Sequence, residues 1–379
     1  MPVNIAKAEL LEVVQRAYAL APPKSSLQIL SNVKITCGGG HIEVTATDLD
    51  QSIRCTGAAE GDSSFDVAIN ARKLFDIVRE VPDGTVTIAE DENVLSMVSE
   101  KGFSCKVAGA DVADFPAFPD VGNAVTFEIA VADLRRTVAK SSFAVSKDTT
   151  RSCLCGVLWE IDGERCTMVA TDGHRLGRSF VERNTGVSEK LSVIVSQKSL
   201  QHLCRIAESG DSDAVLQVAV GEKYVVFTGE RFTLCSKLID GPYPDYEKVI
   251  PKSNPKHAVV DRAALINAVR RVSVLSNQKT HLVKFKFTAE TLEVTVLNRD
   301  IGGEAREVIP VQYTGEDHTI GFNGQYFSEI LSIAETDKVQ LDMNTQISAC
   351  LILPWDPETE APIPSDLFLI MPLRLMDEV

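Results

Sequence analysis

The sequence lacks the features that mark membrane and secreted proteins. No apolar run approaches the roughly 20 residues that a membrane-spanning helix needs. The first residues, MPVNIAKAELLEVV, show no basic-then-apolar signal pattern, and their apolar positions follow the spacing of an amphipathic helix. We therefore expect a cytoplasmic protein with no membrane partner.

Motifs of common enzyme and metal sites are also missing. The chain contains no GxSxG, no HExxH, no P-loop and no GxGxxG. Its nine cysteines are scattered without a CxxC pair. In a strand, Cys153-x-Cys155 would place both thiols on one face, yet no second pair or histidine cluster completes a zinc site. Buried cysteines in a reducing compartment, with no metal or other cofactor, are the expectation.

The chain does contain enough apolar residues for two or three folded domains. Its 379 residues are 44% hydrophobic and 24% charged, which is ordinary for a globular protein. The net charge is −15, and a diffuse negative surface repels nucleic acid. Binding to DNA would therefore require that the basic side chains be gathered on one surface.

A strand followed by an amphipathic helix occurs six times. The occurrences form two sets of three, and within a set each member begins 124 to 131 residues after the one before it. The first set is FDVAINARKLFDIV (65–78), LSVIVSQKSLQHLC (191–204) and HTIGFNGQYFSEIL (318–331), and its helices follow a small polar residue suited to an N-cap: Asn70, Ser196 or Asn323. The second is VNIAKAELLEVVQR (3–16), FEIAVADLRRTVAK (127–140) and AVVDRAALINAVRR (258–271). Alternating strands with turn signals follow each helix, which favours antiparallel sheets. The pattern predicts an α+β fold with three tandem copies of a pseudo-twofold helix-plus-antiparallel-sheet domain.

Segments rich in proline and glycine mark the predicted boundaries between the copies. ADFPAFPDVGN (113–123) separates the first two, and DGPYPDYEKVIPKSNPKH (240–257) separates the second and third. The predicted domains are residues 1–122, 123–254 and 255–379. By composition, PWDPETEAPIP (354–364) is expected to be an exposed loop.

The predicted helices carry more positive charge than the rest of the chain. They are bracketed as 7–20, 71–80, 132–141, 197–208, 261–272 and 325–336. Together they hold 13 basic and 9 acidic residues, a balance of +4 against −19 elsewhere. Such a bias can arise by chance on solvated helices, or it can mean that the helical side faces a polyanion. Candidate phosphate contacts are Arg72, Lys73, Arg79, Arg135, Arg136, Lys140, Lys198, Arg205, Arg270 and Arg271, whereas the last helix has no basic residue.

The segment ATDGHRLG (170–177) admits three interpretations. As catalysis, Asp172 could orient His174 as a general base, although no nucleophile motif accompanies them. As structure, Asp172-Gly173 is a tight-turn signal between two strands. As recognition, the turn could form the rim of a groove in which a short peptide buries apolar side chains.

Several motifs in combination resemble the bacterial DNA polymerase III beta subunit family, the sliding clamps. The resemblance covers essentially the whole chain, and the pairing of TDGHRL with a C-terminal MPLRL is its most specific part. The motifs are ATDGHRLG (170–177), LIDGPYPDYEKVIP (238–251), LSNQK (275–279) and MPLRL (371–375).

The resemblance implies a non-catalytic DNA sliding clamp, or processivity factor. Two protomers would join head to tail as a homodimer, a ring of six similar domains whose helices face double-stranded DNA without regard to its sequence. The clamp would tether the DNA polymerase III alpha subunit, be loaded by an ATP-driven clamp loader complex, and bind other DNA polymerases and repair proteins through short peptide motifs.

The resemblance also implies which residues take part. The DNA contacts would include Lys24, Arg72, Arg151 and Lys198. The dimer interface would place Phe103 and Cys105 of one chain against Val274 and Leu275 of the other. The peptide-binding pocket would comprise Leu154, Thr171, Gly173, His174, Arg175, Leu176, Pro244, Lys248, Val249, Leu369, Met371, Pro372, Leu373 and Arg374.

This chain departs from the family pattern in four places. Lys248 stands where an arginine is usual, which could cost a bidentate contact, and Leu373 stands where methionine is common. The PWDPETEAPIP stretch is longer than expected, and MDEV (376–379) follows the MPLRL motif. Two alternatives remain beside the clamp: a hydrolase-like enzyme that uses Asp172 and His174, or an interaction scaffold that does not bind DNA.

Overall fold

The computed structural model describes residues 2–207 and 214–375. Within these residues it contains six α-helices and 26 β-strands, and no helix is long and apolar enough to cross a membrane. The helices are α1 (Lys7–Tyr18), α2 (Ala71–Glu80), α3 (Val131–Ser141), α4 (Gln197–Ala207), α5 (Arg262–Ser273) and α6 (Gly324–Ala334).

The strands are short and mostly follow one another through tight turns. They are β1 (Val3–Ala6), β2 (Asn32–Gly38), β3 (His41–Thr47), β4 (Gln51–Ala58), β5 (Phe65–Asn70), β6 (Thr85–Asp91), β7 (Val94–Ser99), β8 (Ser104–Ala108), β9 (Val125–Ala130), β10 (Gly156–Ile161), β11 (Arg165–Thr171), β12 (Arg175–Glu182), β13 (Leu191–Ser196), β14 (Val215–Val220), β15 (Tyr224–Thr228), β16 (Phe232–Lys237), β17 (Lys256–Asp261), β18 (Leu282–Phe287), β19 (Thr291–Asn298), β20 (Gly303–Pro310), β21 (Gln312–Thr314), β22 (His318–Asn323), β23 (Lys338–Met343), β24 (Cys350–Asp356), β25 (Ala361–Pro362) and β26 (Asp366–Ile370). The strand pairings in the described residues are antiparallel, which confirms the predicted α+β class.

All six predicted helices form, with ends that differ by no more than two residues. The side chain of Asn70 accepts from the backbone N–H of Lys73, and Asn323 does the same for the start of α6. Both are the N-caps that the sequence indicates. Helix α6 ends earlier than expected because Glu335 adopts a left-handed conformation, φ +61°. Predicted position 208 and the MDEV tail lie outside the described residues.

The chain forms two compact units. The first comprises Met1–Leu134 and Lys198–Leu238. It holds an eight-stranded sheet in the order β5-β2-β3-β4-β16-β15-β14-β9 and a four-stranded sheet in the order β1-β6-β7-β8. Pairing of β4 with β16 joins strands from two sequence repeats in one sheet, and β8 is an end strand.

The second unit comprises Arg135–Gln197 and Ile239–Val379. Its larger sheet has the order β13-β10-β11-β12-β26-β24-β23-β17-β21, and β25 adds to β24. The smaller sheet has the order β20-β19-β18-β22, with β20 as an end strand. Since β12 pairs with β26, this unit also joins strands of two repeats. The domain boundaries after residues 122 and 254 remain a prediction.

The larger sheet of the second unit buries apolar residues on both of its faces. Along β26, Phe368 and Ile370 face the main core beneath α5 and α6, whereas Leu367 and Leu369 face the opposite side. There they join a smaller group, which we call the outer cluster. It consists of Leu158, Val169, Leu176, Ile194, Tyr246, Ala349, Leu351, Leu367 and Leu369.

Two expectations about local structure need correction, for the 354–364 segment and for the burial of the cysteines. PWDPETEAPIP is not a loop throughout: β24 continues to Asp356 and pairs with β25, with Trp355 opposite Pro362. Cys153 and Cys155 lie in a 3-10 turn, Ser152–Cys155, and not in a strand. Both of these cysteines, with Cys105 and Cys204, are half-buried, and the other five cysteines are buried.

Candidate functional site

The segment ATDGHRLG forms the end of the β11–β12 hairpin. The Asp172 carboxylate accepts hydrogen bonds from the backbone N–H groups of His174 (2.8 Å) and Arg175 (3.0 Å), as in an Asx turn. The Thr171 hydroxyl donates to the Arg175 carbonyl at 2.7 Å and accepts from the N–H of Gly173. Gly173 has φ +90°, a conformation that side chains with a Cβ rarely adopt. The acid and the glycine therefore build the turn.

Arg175 anchors this turn from behind. Its side chain is only 7% exposed, and its Nε donates to Asp172 at 3.1 Å. The two terminal nitrogens reach the Glu329 carboxylate and the Phe143 carbonyl, the latter at 3.0 Å. The guanidinium also lies 4.3 Å from the centre of the Tyr326 ring. Arg175 thus holds the groove wall in place from its buried side.

The same contacts do not give Asp172 and His174 the geometry of a catalytic pair, in which the carboxylate would bind the imidazole ring. Among the described residues, no hydrogen bond joins the Asp172 carboxylate to the His174 ring. The carboxylate is engaged by two backbone N–H groups and by Arg175. The exposed His174 ring instead lies beside Tyr326, with 6.5 Å between ring centres. Asp172 is arranged to shape the turn rather than to orient an imidazole.

The C-terminal segment lies directly against this turn. The Met371 N–H donates to the His174 carbonyl at 2.7 Å, and Leu176 pairs with Leu369 across β12 and β26. Further on, the Leu373 N–H donates to the Gly321 carbonyl at 2.8 Å. A Cβ on Gly321 would lie 2.8 Å from the Leu375 side chain, so the close approach of the tail requires glycine here.

These contacts bring together six of the expected pocket residues, namely Thr171, Gly173, His174, Leu176, Leu369 and Met371. Leu154, Leu176 and Leu369 are buried. Arg175 is buried as well, and the remaining expected members are exposed or half-exposed: Thr171, Gly173, His174, Pro244, Lys248, Val249, Met371, Pro372, Leu373 and Arg374. Val249 is 53% exposed and Met371 38% exposed, which is unusual for apolar residues next to a buried cluster.

The segment 239–250 covers part of the outer cluster and is fixed by two phenols. Tyr243 accepts a hydrogen bond from the N–H of Thr171 at 3.1 Å, and Tyr246 donates to Glu160 at 2.6 Å. Burial raises the pKa of Tyr243 above its usual range, so this phenol stays neutral. Lys248 points outward and pairs with Asp245 at 2.9 Å, so it makes no bidentate contact of the kind an arginine would.

Reasoning from the sequence missed several residues of this surface. Ala349 and Leu351 belong to the outer cluster, and Ile347 beside them is 66% exposed. The alternation along β24 could have placed Leu351 on the same face as Leu369. Arg178 also lies on this face, because it follows Leu176 by two residues in β12.

In the first unit, three expected DNA contacts are exposed. Lys24 lies in the loop after α1, and Arg72 lies in the first turn of α2, 3.8 Å from Asp76. The Lys198 ammonium is paired with Asp48 of the β3–β4 turn. Lys24 and Arg72 can therefore contact a phosphate directly. The Lys198 ammonium would first have to leave the Asp48 carboxylate or bind both groups at once.

In the second unit, Arg151 is half exposed and borders the hairpin turn. It pairs with Asp148 at 3.4 Å and donates to the Asp172 carbonyl at 3.3 Å. Two other basic candidates are not surface cations. Arg136 is bound to Asp366 at 3.0 Å, and Lys140, which is 4% exposed, donates to carbonyls at the end of α6. Their assignment as phosphate contacts was wrong because partners about 200 residues away bind them.

The residues expected at the dimer interface lie beside the two end strands. Phe103 precedes β8, and Cys105 is half-buried within it. In the second unit, Val274 follows α5 and is 80% exposed, and the Leu275 carbonyl accepts from Asn298 at 3.0 Å. Neither β8 nor β20 has a described strand on its far side.

Comparison with known proteins gives a consistent result over the whole chain. Models of the DNA polymerase III beta subunit match its N-terminal domain at residues 1–119, its central domain at 128–245 and its C-terminal domain at 247–363. The beta sliding clamp of Pseudomonas aeruginosa is 30% identical over 378 residues, which span 99% of this chain and 100% of the relative. That of Escherichia coli is 28% identical over 376 residues, with the same coverage of both chains.

The chain belongs to the DNA polymerase III beta subunit family.

Solved clamp structures agree with this assignment. The crystal structure of the P. aeruginosa beta subunit has a TM-score of 0.92 at 29% identity, over 99% of this chain and 100% of the other. A P. aeruginosa sliding clamp bound to griselimycin matches with the same values. The prediction of a DNA sliding clamp, a non-catalytic processivity subunit of DNA polymerase III, is confirmed.

Proposed function

We propose that this clamp encircles duplex DNA as a head-to-tail homodimer and uses the outer cluster as the floor of a peptide-docking groove. The docked peptides belong to the DNA polymerase III alpha subunit, the clamp loader complex, and other DNA polymerases and repair proteins. The clamp does this work in the cytoplasm, where the bacterial chromosome is copied.

One observation carries the proposal for the groove: the His174 carbonyl and the Met371 N–H join the hairpin turn to the tail beside a buried floor. Leu176 and Leu369 form that floor, and Val249 and Met371 leave apolar surface exposed. Burying a few such side chains is worth about 1.5–3 kcal/mol each before entropy costs, which suits exchangeable partners. A relative crystallised with griselimycin supports the presence of a ligand site in this fold.

A direct test uses a fluorescein-labelled peptide that spans the docking motif of the cognate alpha subunit. The double variant Leu176→Ala, Met371→Ala should weaken binding by about 10- to 100-fold, because the exposed apolar contact of Met371 is lost and a cavity at the buried Leu176 disturbs the floor beneath it. Val98→Ala is the matched control, since Val98 is an exposed apolar residue of the first unit. Unchanged affinity in the double variant, with the dimer intact, would refute the groove.

The dimer is supported by two end strands with complementary charge. The segment 101–108, KGFSCKVA, contains two lysines and no acid, whereas β20, GEAREVIP, contains two glutamates and one arginine. Each strand leaves backbone N–H and C=O groups available for pairing. Antiparallel pairing of β8 with the partner's β20 would continue the sheet from one protomer into the next, and the exposed Val274 would be covered in the same contact.

Charge reversal tests this interface. The wild type should have a mass of about 82 kDa in solution, twice the 41.2 kDa of one chain. Lys106→Glu should shift the protein toward monomer, and adding Glu304→Lys should restore the dimer. Lys223→Glu, an exposed charge change elsewhere in the first unit, should have no effect. A wild-type monomer at micromolar concentration would count against the ring.

The DNA contacts are assigned to Lys24, Arg72, Arg151 and Lys198. Neutralising phosphates with lysine and arginine makes binding dependent on salt, with a slope of about one per contact. Replacing Arg72 with glutamine should therefore reduce the salt slope of DNA binding by about one without creating a preference for sequence. An unchanged slope would remove Arg72 from the set, and a wild type with no salt-dependent DNA binding would favour the scaffold alternative.

A further inference from the structure

Arg178 is a cation on the floor of the proposed groove that has no hydrogen-bond or ion-pair partner among the described residues. It lies directly between Val169 and Leu367 in the paired strands β11, β12 and β26. Both of these neighbours belong to the outer cluster, and so does Leu176, two residues earlier on the same face of β12. Since successive residues of a strand alternate between faces, the Arg178 side chain must rise from the same surface.

The guanidinium is half-buried and makes no hydrogen bond or ion pair with another described residue. Its Nε is inaccessible to solvent and has no hydrogen-bond partner. Burial lowers the pKa of Arg178, which still remains charged. A desolvated guanidinium without a partner costs free energy, so a protein normally supplies one.

Other arginines of this unit show what such a partner looks like. Arg136 is bound to Asp366, Arg165 to Glu182 and Arg271 to Glu307. Around Arg178, the Phe180 ring lies 6.0 Å from the guanidinium, and no described carboxylate is bonded to it. The Tyr246 phenol donates its proton to Glu160, and the exposed Glu247 contributes only at longer range.

We propose that Arg178 binds a carboxylate of the docking peptide and so selects partners with an acidic group beside their apolar anchors. This inference rests on the proposed docking groove. The position suits the role because the floor at Leu176 and Leu369 is apolar, and the next residue along β12 on that face carries the positive charge. A carboxylate offers two oxygens to the planar guanidinium, the geometry that an ammonium cannot match.

The carboxylate could come from an aspartate or glutamate side chain or from the C-terminus of the partner. Synthetic peptides separate these sources. They span the docking motif of the cognate alpha subunit and carry an acid or its amide isostere at each successive position, with a free or an amidated C-terminus. The measured quantity is the ratio of Kd for the amide form to Kd for the acid form in the wild type and in variants.

In the wild type, one position or the free terminus should favour the acid by roughly tenfold, the size of a charge-assisted pair. Arg178→Gln should bring that ratio close to one while the neutral peptide still binds. Arg54→Gln is the matched control: it removes the same charge from a position in the first unit where Glu43 and the Phe118 ring are the partners, and it should keep the ratio. Glu247→Gln should raise the ratio, since it removes a competing carboxylate.

Thermal unfolding separates recognition from a structural role. Arg178→Gln should leave Tm unchanged or raised, because the guanidinium makes no hydrogen bond that folding would lose. If the variant does not fold, Arg178→Met serves the same comparison with an apolar side chain of similar length. A ratio near one in the wild type, or one that persists without Arg178, would overturn the inference and leave the groove intact. Failure of every peptide to bind the wild type would instead overturn the groove itself.

Discussion

Replacing Arg175 with methionine should loosen the hairpin turn and the tail together. Three hydrogen bonds would be lost, to Asp172, Glu329 and the Phe143 carbonyl. Glu329 is half exposed, so water can hydrate its carboxylate at little cost in free energy. Asp172 keeps its two backbone donors. The main costs are an unpaired carbonyl, the loss of the buried ion pair with Asp172 and the lost contact with an aromatic ring. Together these suggest about 2–4 kcal/mol.

Native-state hydrogen exchange measures this cost where it arises. The N–H groups of His174, Arg175 and Met371 are bonded within the turn and between the turn and the tail. In Arg175→Met their exchange should accelerate by about 30-fold to several hundredfold, which corresponds to the loss above. Arg165→Met, which removes an exposed ion pair from the same hairpin, should change it by less than about threefold. Unchanged protection of these three amides would refute the anchoring role of Arg175.

Three further predictions concern stability. Gly177→Ala should lower the urea midpoint by an amount equal to about 1–3 kcal/mol, because a Cβ there would lie 2.6 Å from the Lys140 carbonyl. Lys140→Met should also destabilise the fold but leave the salt slope of DNA binding unchanged, unlike a change at Arg72. Burial and the nearby Lys256 lower the pKa of His318 to about 4. As the pH falls, the unfolded state therefore takes up a proton at this histidine at a higher pH than the folded state does. Stability measured by urea titration should therefore fall as the pH drops from about 6.5 to about 4, and His318→Gln should remove that part of the dependence.

Much of the fold could be predicted because its local signals agree with its tertiary structure. The three repeats, the asparagine caps and the alternation of the strands all indicate the observed elements. The 354–364 stretch was misjudged because its prolines suggested a loop, whereas an adjacent strand allowed a short hairpin to form. The 3-10 turn that carries Cys153 and Cys155 could not be predicted, because four residues show no distinct periodicity.

The site was less predictable where a distant partner decides what a side chain does. The turn chemistry of Asp172 and Gly173 can be inferred from the sequence, and the resemblance brought the MPLRL tail beside it. Nothing local distinguishes Arg136 or Lys140 from an exposed helix cation, since their partners are about 200 residues away. Arg178 shows the converse, because only the structure reveals that this residue of β12 has no hydrogen-bond or ion-pair partner among residues 2–207 and 214–375.

The central claim, a closed ring that holds DNA by topology, is tested most directly by retention on circular DNA. The clamp is loaded onto a nicked circle by the cognate clamp loader with ATP, and the complex is passed over a gel-filtration column in high salt. The account predicts that the clamp stays with the circle and is lost when a restriction enzyme linearises it. Equal retention on circular and linear DNA would contradict the ring.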